Sequence, residues 1–291
     1  MLIIQNPIQL REKIQELKLQ GQKIAFVPTM GNLHDGHLTL VREAKKKAAI
    51  VVVSIFVNPM QFDNAQDLKN YPKTLSEDCA KLTAEGVTLV FTPEAETIYP
   101  NGFAVQTYVE VPVLSDCLEG KLRPGHFRGM STIVNKLFNL VQPDYACFGE
   151  KDFQQLAIVK QMVADLAIPV EIIPVATVRE ANGLAMSSRN GKLSSSEKQQ
   201  APLLAEVMNK LALNVQAAKT ELPILIDEAS KELNNMGFRT DAINVVDAQT
   251  LQAIDEHSQQ AVILMAAFLG NTRLIDNKVI SLNPADTKNK A

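Results

Sequence analysis

The sequence has no tryptophan, only four histidines and three cysteines, and aromatic residues make up just 5% of its 291 positions. Cys79, Cys117 and Cys147 are odd in number, widely spaced and without a C-x-x-C pair. That argues against a disulfide framework or a thiolate metal cluster and suits reduced, mostly buried thiols. None has a matched His and acid motif, so a cysteine nucleophile is not expected. An excess of charge is also lacking: 29 Lys and Arg against 32 Asp and Glu leave a net charge of −3. The overall field therefore gives no reason to expect nucleic acid or an anionic membrane as a partner, and any anionic ligand must be held by a local site. The longest apolar runs, Ala48 to Val57 and Ala261 to Leu269, are well short of the ~20 residues a spanning helix needs. The opening MLIIQNPIQLREK turns charged too soon for a signal peptide, so the chain reads as cytoplasmic. Although glycine occurs 13 times, no two glycines stand two residues apart. The Rossmann dinucleotide fingerprint is thus absent.

What is present is apolar residue, 46% of the chain, enough for a large core, and a length that makes two domains the natural expectation. Pro7 to Gln20 places Ile14 and Leu17 on one helical face, ended by Gly21. Lys23 to Val27 reads as the first strand, His37 to Ala48 as a helix, and residues 50–57 as a strand apolar on both faces, as a parallel sheet requires. Thr74 to Glu85 reads as a helix opening on a capping box of Thr74 and Glu77, followed by a strand at Val87 to Phe91. Further on, Ser131 to Val141 and Phe153 to Leu166 read as helices, Tyr145 to Phe148 and Val170 to Val178 as strands. The alternation predicts an α/β fold with a Rossmann-like doubly wound parallel sheet. After residues 186–197 the texture changes to helices at 197–217 and 222–236, then β-rich runs at 242–246, 261–268 and 273–280. That order predicts a smaller C-terminal α+β domain, the two domains covering 1–180 and 181–291. The tail NPADTKNKA reads as disordered.

The stretch around which the rest is arranged is Phe26 to Leu40, FVPTMGNLHDGHLTL, a strand end, a tight turn and a helix start. His34 and His37 flank Gly36 as H-x-G-H. A helix N-terminus with glycines that allow close backbone approach suits an anion such as phosphate. Gly31 and Gly36 have the Walker A separation, but His37 and Leu38 stand where that loop needs Lys and Ser or Thr, so that frame fails. Three more polar groups stand after other elements: Asn58 to Gln61, Gly149 to Asp152 with Gln155, and Met186 to Arg189. In an open parallel sheet such junctions converge on one crevice beyond the strand ends.

PTMGNLHDGH, FVNPMQF, RPGHFRG, FGEKDFQQL and GLAMSSRN, in this order, resemble the motifs of the pantothenate synthetase family over essentially the whole chain. H-x-G-H alone marks only the wider superfamily of nucleotidyltransferases and class I aminoacyl-tRNA synthetases. The resemblance implies an AMP-forming ligase that activates pantoate with ATP and transfers it to β-alanine, in pantothenate and coenzyme A biosynthesis. It places ATP against Met30, Gly31, Asn32, Leu33, His34, Asp35, Gly36 and His37. It adds Gly149, Glu150, Lys151 and Asp152, then Val178, and then Met186, Ser187, Ser188 and Arg189, which resemble the mobile KMSKS-type loop of the synthetases. His37, His34, Lys151, Ser187, Ser188 and Arg189 would meet the charge that develops on the phosphates. Gln61 and Gln155 would hold pantoate, and Gln61 would also meet β-alanine. A homodimer is implied as well.

Mg²⁺ is expected with ATP, with protein ligands left open. The acidic pair Glu77 and Asp78 matches a family position, but Lys81 stands where some relatives carry Gln. Seen alone, Lys151 reads as a solvated surface lysine, and Ser187 with Ser188 as an ordinary turn. His126 reads as structural, and Arg123 and Arg128 as either phosphate contacts or solvated charge. Two other functions fit the H-x-G-H turn: a phosphopantetheine-type adenylyltransferase, and a nucleotide-binding regulator without catalysis. The first leaves NPMQF and RPGHFRG unexplained, and the second predicts damage to His34, His37 or Lys151, all of which are intact.

Overall fold

Six apolar runs of the first part of the chain pair into one sheet in the computed structural model, which describes residues 1–217 and 221–282. They are β1 (Leu2–Ile4), β2 (Ile24–Thr29), β3 (Ile50–Ile55), β4 (Leu89–Phe91), β5 (Tyr145–Gly149) and β6 (Glu171–Val175). Every pairing is parallel, in the order β1-β4-β3-β2-β5-β6. Successive strand residues point to opposite faces. Phe26 and Val52 accordingly join one core with Leu10, Met130 and Phe138, while Val27 and Val53 join a second with Val41, Ala44 and Leu82. Helices Pro7–Leu19, His126–Val141 and Phe153–Asp165 cover the first face, and Asp35–Lys47 and Leu75–Ala84 the second. This is the doubly wound arrangement. The chain winds outward from β2 to β3 and then restarts on the other side at β5, so the carboxyl ends of β2 and β5 flank the switch point where such sheets take ligands.

Four local expectations are corrected. β1 has no counterpart in the sequence reading, because only Ile4 of its three residues is buried and so short an edge strand shows no period. The helix expected from Ser131 begins at His126, since the left-handed break is Gly125, with φ 81°, and the RPGHFRG motif supplies the first turn. Thr74 makes no capping box: its hydroxyl donates to Asp78 Oδ2 at 3.0 Å. β6 stops at Val175, because Val178 O accepts from Met186 N at 2.9 Å and Arg179 bridges Ala185, pairing residues 178–179 with 185–186 instead of with β5.

The chain divides into Met1–Ala176 and Thr177–Ala291. In the second unit helices Leu203–Ala217 and Leu222–Asn235 pack on an antiparallel meander of β7 (Arg239–Asp247), β8 (Gln260–Leu269) and β9 (Thr272–Ser281). The helix expected over 197–217 is two, Ser195–Gln200 and Leu203–Ala217, with Pro202 between them. Ser194 opens the first with a true capping box, donating its N–H to Glu197 Oε2 at 2.7 Å and accepting from Glu197 N at 3.3 Å. The NPADTKNKA tail lies outside the described residues.

Helix His126–Val141 carries Gly129 against the loop after β3. A side chain there would overlap the carbonyl oxygen of Met60 and stand 2.8 Å from Gln61 N. Gly129→Ala is therefore expected to lower the unfolding free energy by about 1–3 kcal/mol, the cost of overpacking a filled contact. Denaturant unfolding measures it, and wild-type stability would contradict the packing described.

Candidate active site

The turn after β2 is built around an internal carboxylate. Asp78, fully buried on helix Leu75–Ala84, accepts from Asn32 N through Oδ2 and from Leu33 N through Oδ1, both at 2.8 Å. Gly31, at φ 81°, is required there, because a Cβ would come within 3.0 Å of both Asp78 Oδ2 and Ile55 Cγ2. Thr29 Oγ1 donates to Ser54 O at 2.8 Å and accepts from Gly31 N at 3.2 Å, fixing the turn to β3. The amides of Asn32 and Leu33 are thus taken by Asp78, while the expectation of an anion concerns the helix N-terminus, which begins at Asp35.

His34 N donates to His37 Nδ1 at 3.3 Å. A backbone N–H can only donate, so Nδ1 of His37 is the acceptor and its proton sits on Nε2. The two rings lie 4.1 Å apart. Burial, then the neighbouring His34, lowers the pKa of His37 to about 3, and burial with Lys151 lowers that of His34 to about 4. Both are neutral at pH 7 and can donate hydrogen bonds, not ready protons. His34 Nδ1 is buried with no hydrogen-bond partner among the described residues. Lys81 Nζ donates to Leu33 O at 2.6 Å, adding positive charge behind the turn.

Lys151, after β5, has a side chain only 16% exposed and lies 3.9 Å from Asp152. Its electrostatic effect on both histidines brings the β2 and β5 ends into one field. Gln61 ends a short 3-10 turn, Pro59–Gln61, and its Nε2 donates to Met30 Sδ at 3.3 Å, joining the loop after β3 to the H-x-G-H turn. Gln155 is half-buried. Its neighbour Gln154 is structural, its amide bonded to Leu114 O, Cys117 O and Glu119 N. His126 Nδ1 pairs with Gln61 O at 2.7 Å, a positioning contact as expected of a structural histidine. Arg123 pairs with Asp63 at 3.3 Å and Glu119 at 3.8 Å, and Arg128 stands 4.0 Å from Glu110, so both are engaged by carboxylates.

In the second unit, Val178 and Met186 share a backbone hydrogen bond, and Ser187 Oγ accepts from Arg189 N at 3.2 Å at the start of the 3-10 helix Ser188–Lys192. Asn190 ties this loop down through Glu180 Oε1 and Ala185 O, each at 3.1 Å. Arg189 is exposed. Asp78, Asn58 and Tyr99 are the polar residues of the first unit that sequence reasoning missed as site supports. Asp78 is legible in principle, since the spacing from Asp78 to Leu82 puts the carboxylate on the buried face of its helix.

A parallel doubly wound sheet with paired imidazoles and a lysine at its switch point defines an α/β enzyme whose site is suited to a phosphate-bearing ligand. The family model described as pantoate-beta-alanine ligase matches residues 2–279. A pantothenate synthetase of Psychromonas ingrahamii is 77% identical over 99% of this chain and 100% of its own length, and that of Aeromonas hydrophila is 60% identical over 97% and 99%. The crystal structure of pantothenate synthetase from Thermus thermophilus superposes with a TM-score of 0.87 at 40% identity, covering 98% of this chain and 100% of that one. A pantoate-beta-alanine ligase from Francisella tularensis, complexed with beta-gamma ATP and beta-alanine, gives 0.82 at 36% identity over 96% and 97%. The chain belongs to the pantoate-beta-alanine ligase family. It is a ligase, and its reaction joins pantoate to β-alanine to give pantothenate.

The depressed histidines set a pH dependence of stability. Their folded values lie below the ordinary 6.5, so on acidification the unfolded chain takes up protons first. The contribution is full above about pH 6.5 and is lost as pH falls through about 4 for His34 and about 3 for His37. At pH 5 a value of 3 for His37 corresponds to about 2 kcal/mol. His37→Gln should therefore lose about 2 kcal/mol less than wild type between pH 7.5 and 5. Urea unfolding at the two pH values tests this, and identical losses would place a charged or solvated His37 in the folded protein. His126, lowered to about 4 by burial, contributes equally to both proteins.

Proposed function

We propose that ligation proceeds through an acyl adenylate. The carboxylate of pantoate attacks the α-phosphate of ATP, the bond to the β-phosphate breaks, and pyrophosphate leaves. The amine of β-alanine then attacks the acyl carbon of pantoyl adenylate, forming the amide as AMP departs and the amine loses its proton. The observation that carries this reading is the pair of neutral imidazoles beside Lys151 at the β2 and β5 ends. An Nε2–H from His37 and the Lys151 ammonium are fixed donors suited to charge growing on phosphate oxygens, where preorganised donors act most strongly. The Francisella tularensis ligase complexed with beta-gamma ATP and beta-alanine supports ATP and β-alanine as substrates here.

In this reading Met30, Gly31, Asn32, Leu33, His34, Asp35, Gly36 and His37 line the ATP site. Gly149, Glu150, Lys151, Asp152 and Val178 hold ribose and adenine, Lys151 also gripping the phosphates, and Met186 opens the loop that carries the next three residues. Ser187, Ser188 and Arg189 add donors for the phosphates. Gln61 and Gln155 meet the hydroxyls and carboxylate of pantoate, and Gln61 also meets β-alanine. A cytoplasmic homodimer belongs to the same reading.

Mg²⁺ accompanies ATP in this chemistry, but the acidic pair does not fit as its holder. Both oxygens of Asp78 already accept from backbone amides, and Glu77 is exposed. Among the described residues no group of three or more His, Cys, Asp or Glu is arranged to hold a metal. The ion suits phosphate oxygens and water as its ligands.

The reading is tested by product timing: pyrophosphate release should require pantoate, and AMP should appear only after β-alanine is added. Pyrophosphate release without pantoate, or AMP retained in the product, would overturn it. His37→Ala and Lys151→Ala should each lower turnover by about a hundredfold or more, the scale of losing one preorganised donor, with little change in fold stability. Near-normal turnover in either would remove that residue from the chemistry.

A further inference from the structure

Asn58, Gln61 and Tyr99 form a buried chain of hydrogen bonds whose direction is fixed by a backbone carbonyl at one end. They are exposed by only 1%, 8% and 3%. The carbonyl of Gly129 can only accept, so the atom of Asn58 that faces it at 3.1 Å must be Nδ2. That puts Oδ1 at the opposite end of the amide, where the Tyr99 hydroxyl, 2.8 Å away, must donate to it. The second N–H of Asn58 reaches the Gln61 amide at 3.0 Å, so Gln61 turns its Oε1 inward. Its Nε2 is left toward Met30 and the ends of β2 and β3. The main chain of Gln61 is held separately through His126, so the orientation of its amide depends on Asn58.

Tyr99 is itself clamped. Its ring is 5.1 Å from that of Phe103 and 6.3 Å from that of Phe56, and the Lys136 ammonium sits 4.7 Å from its centroid. Lys136 is fixed in turn by Ile98 O at 2.7 Å and Gln106 Oε1 at 3.0 Å. Burial raises the phenol well above its usual range, so the hydroxyl keeps its proton at working pH.

We propose that Tyr99 is a positioning residue: through Asn58 it holds the donor end of the Gln61 amide toward the crevice, where it selects a ligand oxygen that accepts. This rests on the reading that Gln61 meets pantoate, whose carboxylate and hydroxyl oxygens are such acceptors. Removing the hydroxyl leaves Asn58 Oδ1 buried without a donor. A half-turn of the Asn58 amide does not relieve that cost, because it would set Oδ1 against the Gly129 carbonyl and leave Nδ2 without an acceptor. The amide shifts within its pocket instead, which loosens its hold on Gln61 Oε1 and with it the direction of Nε2.

Tyr99→Phe keeps the ring and its packing, which makes it the variant of choice. It should raise the Michaelis constant for pantoate about tenfold while leaving that for ATP within about twofold, as loss of one buried hydrogen bond predicts. In a Gln61→Ala background the same change should have no further effect on pantoate, because the two residues act as one unit. An unchanged constant, or the same fold-rise in both backgrounds, would reduce Tyr99 to packing and overturn the proposal. The substrate reading fails separately, if Gln61→Ala alone leaves the pantoate constant unchanged. In that case exchange of the Asn58 side-chain amide protons, followed by NMR in the ligand-free enzyme, still decides. Exchange about tenfold faster in Tyr99→Phe supports the positioning role, and equal exchange overturns it.

Discussion

The carboxylate of Asp78 is the interaction on which the site depends. The chain must leave β2 and start a helix within a few residues, and that turn produces backbone N–H groups directed inward, away from water. Asp78 accepts two of them at 2.8 Å, and Thr74 donates to the same group at 3.0 Å. A charge-assisted acceptor of this kind is stronger than a neutral one, and no water or mobile side chain would hold the turn as firmly. The positive φ of Gly31, the path of Asn32 and the approach of His34 to His37 follow from that anchor.

Electrostatically the site is a set of neutral donors behind a positive rim. Burial keeps both imidazoles uncharged, and the tautomer of His37 is set by the one backbone N–H it accepts. Lys151 and Lys81 supply the positive charge. The arrangement can receive phosphate charge without first releasing a proton, which is how preorganised donors act on a developing anion. The loop after β3 serves a different end, orienting an amide through Asn58, Tyr99 and the close passage over Gly129.

Much of this is legible in the residues. The alternation of long apolar runs with amphipathic segments marks the parallel sheet, because strands buried on both faces must be continuous in apolar residue. The H-x-G-H turn, Asn58 to Gln61 and Gly149 to Asp152 follow the carboxyl ends of β2, β3 and β5, which the parallel sheet sets on one edge, whereas Met186 to Arg189 lie in the second unit. The features that escape such a reading are short, or turn on contacts that the local pattern does not single out. β1 is three residues long, and the Thr74 hydroxyl bonds across to Asp78 where a capping box is the local expectation. The backbone N–H partners of Asp78 and the Asn58 partner of Tyr99 lie 41 to 46 positions away in the chain. Gly129 falls outside the helix expected from Ser131, and nothing near it in sequence points to Met60 packed against it.

The most direct test of the Asp78 anchor is the steady-state turnover of Asp78→Asn. The amide keeps the shape but turns an N–H donor toward one of the two backbone N–H groups it must accept from. If the turn is held as described, His34 and His37 lose their placement and turnover falls on the order of a hundredfold, the scale of misplaced reacting groups. Turnover equal to wild type would mean that the turn holds its shape without the carboxylate, and that the site is anchored elsewhere.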